Sequence, residues 1–340
     1  MENTIIYLKR CKAMAKILVA GEIPQKGLEL LSKDHLVEVF TGEKLITEAE
    51  LKERIKDKDA LLSLLSTTVT KEVIDQAPHL KIIANYGAGY NNIDFDYAAS
   101  KGIPTTNTPI ASTAATADLT FSLLLASARR VVEGDEVCRT VGFNGWAPLY
   151  FRGREVSGKT IGIVGFGQIG QAVAKRAAAF DMKVLYTSPS RKSPQVENAL
   201  NATYVSFEEL VAESDFITIN CSYNPTMKHM FSTRQFEMMK STAYLINCAR
   251  GPIVDESALI KALEEKQIEG AGIDVFEFEP EISEGLKNLK NVVLTPHIGN
   301  ATFEARDAMA NMAAGNIVKV LNGEAPSYVI NGVVKETILV

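Results

Sequence analysis

The sequence predicts an α/β protein with two domains, each built around a doubly wound parallel sheet. A length of 340 residues corresponds to about two domains, and a hydrophobic fraction of 46% is enough to give each its own core. Short apolar runs alternate with segments of helical spacing, which is typical of a parallel sheet covered by helices on both faces. A glycine-rich turn follows one apolar run near the middle of the chain, as expected where a second series of strands begins.

The first domain opens with a buried strand that ends at a glycine turn, Gly21. Helical spacing at 23–33 and a capping box, Thr47-Glu48-Ala49-Glu50, predict its first helices. The predicted strands of this domain are 15–20, 60–65, 82–85 and 105–106. Leucines amid small residues over 113–132 then predict one long buried helix that connects the two domains.

The second domain follows a loose stretch, 142–158, which holds the only tryptophan, Trp146. Capping residues Ser206, Ser232 and Asp255 predict helices between its strands. The six predicted strands are 160–164, 183–186, 216–220, 243–247, 272–275 and 292–294. Six strands alternating with helices are typical of a doubly wound dinucleotide-binding fold.

The two ends of the chain complete this organisation. About 40 residues follow Asn300, too few to bury a core alone, so the helical pattern ending near Gly323 predicts that they return to the first domain. We therefore predict a first domain of residues 14–112 and 301–340, with a second domain, 113–300, inserted in it. Residues 1–13 are interrupted by Lys9, Arg10 and Lys12, so we expect an appended or upstream-start segment rather than a signal peptide.

Composition excludes several classes of function. A net charge of −5 and the lack of a long basic run argue against a nucleic-acid partner. The longest apolar stretches are about ten residues, well short of the 18 or so that span a bilayer. The four cysteines have no metal-ligand spacing, so we expect no metal site and a reducing, cytoplasmic location.

Gly165-Phe166-Gly167-Gln168-Ile169-Gly170 is a GxGxxG motif that follows a predicted strand and precedes a predicted helix. In that context Gly165 would make the tight turn, Gly167 would admit a pyrophosphate, and Gly170 would let the helix pack closely. The helix N-terminus would supply N–H donors to the phosphates. The motif therefore predicts a nicotinamide dinucleotide as cofactor.

The residue that would choose between NAD and NADP follows about 20 residues after the motif. Counted from Gly167 that residue is Thr187, which cannot act as the acidic ligand of a ribose 2′-hydroxyl. The next residues offer hydroxyls and cations suited to a 2′-phosphate, so we predict NADP, with NAD as the alternative if these charges are merely solvated. They are Ser188, Ser190, Arg191 and Lys192.

Three chemically capable side chains follow strands of the second sheet. His297 comes after 292–294, where an imidazole suits acid–base work, and Arg250 follows 243–247, where its planar fork suits a carboxylate. Glu279 follows 272–275. Because parallel strands end at one edge of a sheet, these three predict a catalytic site there. The remaining histidines, His35, His79 and His229, are interpreted as structural or solvated.

Taken together, these motifs resemble the D-isomer-specific 2-hydroxyacid dehydrogenase family. The segment Gly87-Ala88-Gly89-Tyr90-Asn91-Asn92-Ile93-Asp94 is similar to the glyoxylate and hydroxypyruvate reductase branch, which includes 2-ketogluconate reductases. The resemblance implies a Rossmann cofactor domain inserted in a flavodoxin-like substrate domain. The segments that carry it are 85–94, 107–109, 113–118, 165–170, 247–251, 274–280 and 296–299.

The resemblance also implies roles for individual residues. Arg250 would bind the carboxylate and carbonyl of a small 2-keto acid, and the backbone amides of Ala88 and Gly89 would hold the carboxylate from the other domain. His297 would protonate the carbonyl oxygen, while Glu279 would orient the imidazole and favour its charged form. Glu277 would then be a bystander.

Further residues are implied as neighbours of the cofactor. Asp274 and Cys248 would flank the nicotinamide and its ribose, and Thr116 would line the cleft. Where family members often have a His-x-Pro segment, this chain has Cys221-Ser222-Tyr223, so contacts to the adenosine ribose differ there. Members typically form homodimers through the cofactor domain, with helix 113–132 near the interface.

Two alternatives stay open at this stage. One is a dehydrogenase of the same fold for another small acid: Glu279 argues against formate, whose enzymes use glutamine there, but phosphite remains. The other is a nucleotide-sensing protein like the family's corepressor members, which keep the same triad without depending on turnover. The substrate's own side chain would be selected by loops such as 61–68 and 146–151.

Overall fold

The computed structural model describes residues 14–42 and 44–333. The described residues divide into two compact units. The first comprises those up to Ser112 and those from Thr302 onward, and the second comprises Thr113–Ala301. Segment 1–13, for which the sequence predicts an appended origin, lies outside the described residues.

The first unit contains a five-stranded parallel sheet in the order β2-β1-β3-β4-β5, which is the strand order of the flavodoxin-like fold that the family resemblance implies. Its strands are β1 (Lys16–Val19), β2 (Leu36–Val39), β3 (Ala60–Leu64), β4 (Ile82–Tyr86) and β5 (Thr105–Thr106). Its helices are α1 (Gln25–Ser32), α2 (Glu48–Arg54), α3 (Lys71–Asp75), α4 (Phe95–Ser100) and α13 (Phe303–Leu321). The prediction omitted β2 because this edge strand is only partly buried and lacks a clear apolar run.

Helix α13 brings the end of the chain back into the first unit. Its residues Met309, Ala313 and Ile317 are buried in one cluster with Ile17 of β1 and Leu31 of α1. A capping hydrogen bond from the Ala305 N–H to the Thr302 hydroxyl begins the helix. This return segment therefore supplies one face of the first unit's core.

The second unit contains a seven-stranded parallel sheet in the order β12-β11-β10-β9-β6-β7-β8. Its strands are β6 (Thr160–Val164), β7 (Lys183–Thr187), β8 (Ala202–Tyr204), β9 (Phe216–Ile219), β10 (Tyr244–Asn247), β11 (Gly270–Ile273) and β12 (Val292–Leu294). Renumbered within the unit, the order is the Rossmann order 3-2-1-4-5-6 with one strand added, which confirms the fold class. The predicted count of six strands is wrong, because β8 is a three-residue strand too short to show a pattern.

The helices of the second unit include one correction. They are α5 (Thr113–Ala128), α6 (Val131–Arg139), α7 (Gln168–Ala178), α8 (Pro194–Leu200), α9 (Phe207–Glu213), α10 (Thr233–Met238), α11 (Glu256–Glu264) and α12 (Glu284–Lys287). The predicted single helix 113–132 is wrong, because Arg130 adopts a left-handed backbone (φ 54°) that ends α5 before α6 begins. Leu123 and Leu124 of α5 are buried as predicted.

Across residues 14–42 and 44–333, no helix combines the length and apolar character that crossing a bilayer would need.

Candidate active site

The glycine turn joins β6 to α7, as the motif predicts. Gly165 has φ +92°, and a Cβ there would lie 2.6 Å from the Cα of Cys221. A Cβ on Gly170 would lie 2.1 Å from the carbonyl oxygen of Gly165. A Cβ on the exposed Gly167 would meet no atom within 4 Å. Two glycines are thus required by the protein's own packing, and Gly167 alone borders open space, as expected where a pyrophosphate approaches.

The first turn of α7 faces the same space. Gly167 is its N-cap, and Gln168, Ile169 and Gly170 form the first turn. N–H groups in a first helical turn have no partner within the helix, and the helix dipole favours an anion beside them. An 11-residue helix that begins at an open glycine therefore fits a phosphate group.

The end of β7 carries the residues predicted to select the cofactor. Thr187 is its last residue, and its carbonyl accepts a hydrogen bond from the Gly165 N–H at 2.9 Å. The Ser188 hydroxyl donates to the Ser190 carbonyl at 2.6 Å. Arg191 donates from Nε and Nη2 to the two carboxylate oxygens of Glu197, both at 2.9 Å. Arg191 is therefore oriented by an ion pair rather than loosely solvated.

Glu197 is a supporting residue that sequence reasoning missed. Its carboxylate also accepts the Tyr186 hydroxyl at 2.7 Å, and it is 7% exposed although charged. The hydrogen bonds from Arg191 and Tyr186 outweigh burial and lower the pKa of Glu197. The Arg191 side chain stays 65% exposed, so it keeps a solvent-facing edge. The sequence signal for this residue is an acidic side chain, Glu197, six positions after Arg191 and close to Tyr186.

Asn220 is a second residue that sequence reasoning missed. It directly follows β9, whose neighbour in the sheet is β6, and it precedes the Cys221 backbone that contacts Gly165. Its side-chain oxygen and nitrogen are buried without a hydrogen-bond partner among the described residues. A buried amide left unpaired beside the glycine turn fits the binding of a polar group there.

The three candidate catalytic residues follow the carboxyl ends of adjacent strands β10, β11 and β12. His297 Nδ1 lies 3.0 Å from Glu279 Oε2, and the other oxygen of Glu279 accepts the Phe276 N–H at 2.9 Å. The Nε2 atom of His297 forms no hydrogen bond with any described residue. The structure thus joins His297 to Glu279 and leaves one ring nitrogen for another group.

Asp274 fixes the turn that presents His297. Its carboxylate accepts the Thr295 hydroxyl at 2.7 Å and the N–H groups of Ile298 and Gly299 at 2.8 and 2.9 Å. Its carbonyl accepts the His297 N–H at 2.8 Å, and His297 has φ 52°. Burial of Asp274, which is 0% exposed, raises the pKa of its carboxyl although these donors oppose the shift. Asp274 therefore stabilises the left-handed backbone of His297.

Arg250 and Glu279 are electrostatically coupled. Burial lowers the pKa of the Arg250 guanidinium, and the Glu279 charge opposes that shift. Burial alone would raise the pKa of Glu279, but the bonds from His297 and Phe276 and the charges of His297 and Arg250 lower it. The Arg250 carbonyl is held by the Asn247 amide at 3.1 Å. The Glu279 carboxylate therefore lies within reach of two cationic groups.

A rigid support connects Arg250 to the segment that carries Glu279. A Cβ on Gly251 would lie 1.8 Å from the Phe276 carbonyl oxygen, so only glycine allows these backbones to meet. Glu256, which is 4% exposed, accepts the Glu277 N–H and the Ser283 hydroxyl, both at 2.5 Å. These contacts leave no local pattern in the sequence, because they join residues that are 21 or more positions apart.

His229, Asp255 and Glu277 form a second cluster beside this support. His229 Nε2 lies 2.6 Å from Glu277 Oε1, and its Nδ1 lies 3.8 Å from Asp255 Oδ2. Histidine, cysteine, aspartate and glutamate side chains can bind metal ions. Within residues 14–42 and 44–333, this is the one group of three such side chains whose possible metal-binding atoms all lie within 4.8 Å of one another. Since both ring nitrogens already face carboxylates, contacts among these three side chains account for the cluster. The interpretation of His229 as a structural residue stays a prediction.

Two of the described cysteines, Cys221 and Cys248, have thiols of low reactivity. Burial raises the pKa of the Cys248 thiol to about 12 and that of the Cys221 thiol to about 11. Neither is a thiolate near neutral pH, so nucleophilic roles are excluded.

Thr116 on α5 lies close to the turn that carries His297, since a Cβ on Gly299 would be 3.6 Å from the Thr116 hydroxyl oxygen.

Ala88 and Gly89 belong to the first unit and follow β4. Their backbone N–H groups donate to no described residue, although both residues are half-buried. Their carbonyls accept hydrogen bonds from Asn107 and Asn85 at 2.7 Å each.

Comparison with known proteins supplies an independent line of argument. A family model described as D-isomer specific 2-hydroxyacid dehydrogenase, NAD binding domain, matches residues 121–299. A Staphylococcus haemolyticus protein, whose name assigns it provisionally to the 2-hydroxyacid dehydrogenases, is 62% identical over 318 residues, covering 94% of this chain and 100% of that protein.

Two solved structures with named activities are also similar. A glyoxylate reductase from Paecilomyes thermophila has a TM-score of 0.82 and 32% identity, covering 91% of this chain and 96% of its own. An NADPH-dependent glyoxylate/hydroxypyruvate reductase from Sinorhizobium meliloti, in complex with NADP and malonate, has a TM-score of 0.80 and 28% identity, covering 94% and 97%.

Proposed function

This chain belongs to the D-isomer-specific 2-hydroxyacid dehydrogenase family, and we propose that it reduces a small 2-keto acid to the D-2-hydroxy acid. The substrate class we propose is glyoxylate, hydroxypyruvate or 2-ketogluconate, and the first two are named in the activities of two structural relatives. The observation that carries the proposal is the His297–Glu279 pair, joined at 3.0 Å with Nε2 of the imidazole left without a described partner. That is the geometry of a proton donor backed by a carboxylate.

Each candidate residue has one task in the proposed reaction. Arg250 binds the substrate carboxylate and draws electron density from the adjacent carbonyl, because a guanidinium fork matches a carboxylate. Protonated His297 gives the Nε2 proton to the carbonyl oxygen as that oxygen becomes an alkoxide. Glu279 keeps the imidazole oriented through Nδ1 and stabilises its charged form. The N–H groups of Ala88 and Gly89, which donate to no described residue, are suited to binding a carboxylate.

The residues around the glycine turn fit a nicotinamide dinucleotide. Open space at Gly167, the first turn of α7 and the unpaired amide of Asn220 would hold its pyrophosphate and neighbouring polar groups. When bound, the coenzyme supplies the hydride. Thr116, Cys248 and Asp274 would border its nicotinamide end, with Asp274 acting mainly by holding the His297 turn.

We further propose that the coenzyme is NADP. Thr187 provides no carboxylate to repel a 2′-phosphate, and the oriented Arg191 provides a cation beside Ser188 and Ser190. The variant Arg191→Ala should raise the KM for NADPH about tenfold, about 1.4 kcal/mol of binding, while the KM for NADH stays within about twofold. A clear preference of the unaltered protein for NADH would contradict this assignment.

The proposed quaternary state is a homodimer formed through the second unit. Large apolar side chains are exposed throughout its 131–150 segment, among them Trp146 at 86% and Val141 at 85% exposure. Apolar surface of this extent usually becomes covered by a partner, and a second copy of the chain is the partner we propose.

The free thiols of Cys138, Cys221 and Cys248 suit a cytoplasmic location.

The decisive experiment is a substrate panel. Purified protein is mixed with NADPH or NADH and glyoxylate, hydroxypyruvate, 2-ketogluconate or pyruvate, and coenzyme absorbance is followed. A parallel reaction contains phosphite and oxidised coenzyme. Turnover of glyoxylate to glycolate, or of another 2-keto acid to a D-configured product, supports the proposal. Oxidation of phosphite alone, or tight coenzyme binding with no turnover of any acid, would overturn it in favour of the same-fold alternatives.

A further inference from the structure

The loop after β4 has an unusual arrangement of carbonyl groups, in that three in succession are held by donors from the interior. The Gly87 carbonyl accepts the Thr108 N–H at 2.9 Å. The carbonyls of Ala88 and Gly89 accept the amide groups of Asn107 and Asn85, each at 2.7 Å. The donors are buried: Thr108 and Asn85 are 0% exposed and Asn107 is 7% exposed.

Because peptide bonds are planar, the directions of these three carbonyls also fix the directions of the neighbouring N–H groups. In a trans peptide the carbonyl of one residue and the N–H of the next point in opposite directions. The N–H groups of Ala88, Gly89 and Tyr90 are therefore directed away from Thr108, Asn107 and Asn85. None of the three donates to a described residue. Consecutive unpaired N–H groups form a concave anion site of the kind that binds carboxylates.

The amide of Asn85 is held in one orientation by its own neighbours. Its side-chain oxygen accepts the Ser63 hydroxyl at 3.0 Å and the Asn92 amide at 3.3 Å. Asn92 is in turn bound to the carbonyls of Leu64 and Thr67 at 3.0 and 2.9 Å. Because the oxygen faces these donors, the nitrogen must face Gly89, so the loop is preorganised before any ligand arrives.

We infer that Asn85 and Asn107 are positioning residues for carboxylate recognition, and that Tyr90 supplies a third N–H donor beside those of Ala88 and Gly89. The inference rests on the proposed function, since it assigns the end of the 2-keto acid that this loop binds. Neither asparagine touches the substrate. Each asparagine holds one carbonyl of the loop toward the interior of the first unit, and so directs the N–H of the following residue away from the interior.

The first experiment removes one inward donor. Asn107→Ala leaves the Ala88 carbonyl unheld, so the KM for the preferred 2-keto acid should rise at least tenfold, with kcat within about threefold, because the carboxylate is bound equally before and during reaction. The methyl ester of the same keto acid has no carboxylate, so its kcat/KM should change less than about threefold. The preference for acid over ester, taken as the ratio of the two kcat/KM values, should therefore fall at least about threefold.

Asn331→Ala is the matched control. The Asn331 amide also donates to backbone carbonyls of the first unit, Ile103 at 2.9 Å and Phe95 at 3.3 Å, but to none in the loop. It should lower the melting temperature as Asn107→Ala does while leaving the acid-to-ester preference unchanged. Equal losses for acid and ester in Asn107→Ala, or the same change in preference in Asn331→Ala, would overturn the inference.

A second pair of variants covers the case in which Asn107→Ala does not fold. Asn85→Asp keeps the oxygen that accepts from Ser63 and Asn92 and replaces only the donor to Gly89, and Asn331→Asp is its control with the same added charge. The acid-to-ester preference should fall at least tenfold only in Asn85→Asp, and an unchanged preference would overturn the inference. If the unaltered protein reduces no 2-keto acid, the proposed function fails first, and that result is distinct from a failure confined to the variants.

Discussion

Two histidine–glutamate pairs take their glutamates from one short segment of the second unit, 277–279, and they differ in the surroundings of the second ring nitrogen of each histidine. His229 pairs with Glu277 at 2.6 Å and His297 pairs with Glu279 at 3.0 Å. Both histidines have a left-handed backbone, with φ 55° and 52°. Their side chains are almost equally exposed, at 36% and 33%. Exposure and backbone geometry therefore do not distinguish the two histidines, although their partners differ, with Glu277 9% exposed and Glu279 36% exposed.

The second ring nitrogen does distinguish them. His229 directs Nδ1 toward Asp255 at 3.8 Å, and its partner Glu277 is held further by the Glu256 N–H at 3.3 Å. His297 has Nε2 without a partner among the described residues, and the charge of Arg250 acts on its partner Glu279. A histidine whose second ring nitrogen faces a carboxylate of the protein is suited to stabilising the fold, whereas one whose second ring nitrogen faces no described partner can exchange a proton with a ligand.

Replacing each histidine by glutamine should separate the two roles most widely. His297→Gln should lower kcat by about 10²- to 10⁴-fold, the usual contribution of a general acid, with coenzyme affinity unchanged. His229→Gln should keep kcat within about threefold but lower the free energy of unfolding by about 1–3 kcal/mol, because it disturbs a buried glutamate. Steady-state kinetics and denaturant unfolding measure both. Comparable kcat losses in the two variants would remove the distinction between the pairs.

Gly251→Ala should disturb both pairs at once. Its Cβ would lie 1.8 Å from the Phe276 carbonyl oxygen, a backbone atom that cannot move without shifting the segment carrying both glutamates. We expect a loss of about 3 kcal/mol in unfolding free energy and a loss of activity, measured by denaturant unfolding and turnover. Gly315→Ala, where no atom lies within 4 Å, is the control and should stabilise its helix slightly. A neutral Gly251→Ala would show that the support is not rigid.

Glu279→Gln should move the pH dependence of keto-acid reduction. Activity requires the protonated imidazole and is lost as pH rises and the proton leaves. Because Arg250 and His297 help to lower the pKa of Glu279, that group is an anion at neutral pH and stabilises the imidazolium in return. The neutral amide of glutamine does not stabilise the imidazolium. The pH at which kcat falls on the alkaline side should therefore shift to a lower value, with kcat about tenfold lower at neutral pH. A limb that stays in place would mean that Glu279 only orients the ring.

Glu277→Gln should give the smallest effect and serves as the partner of that experiment. Its amide can still hydrogen-bond His229, so the loss is that of charge alone, about 0.5–1.5 kcal/mol of unfolding free energy. The pH profile of kcat should be unchanged. A shifted profile in Glu277→Gln would connect the second pair to the chemistry and would contradict its structural assignment.

Much of the fold could be predicted because strand and helix signals are local. Apolar runs followed by Gly21 or Gly165 identify strands from neighbouring residues alone. The two strands that were missed, β2 and β8, are an edge strand with partial burial and a strand of three residues, so neither shows a pattern. The predicted helix 113–132 was too long, because the left-handed backbone of Arg130 ends the first helix and this backbone conformation has no signature in the hydrophobic pattern.

For the site, the sequence by itself determined which side chains follow adjacent parallel strands, because chain order and strand direction place Arg250, Glu279 and His297 at one edge. Only the tertiary structure decided which glutamate faces which histidine, since Glu277 and Glu279 lie two residues apart in one turn and their spacing does not say which histidine each of them meets. It also decided that Asp274 holds the His297 turn, and that the Arg191 guanidinium is oriented by Glu197. These contacts depend on atoms brought together from distant parts of the chain, and no local pattern of residues encodes them.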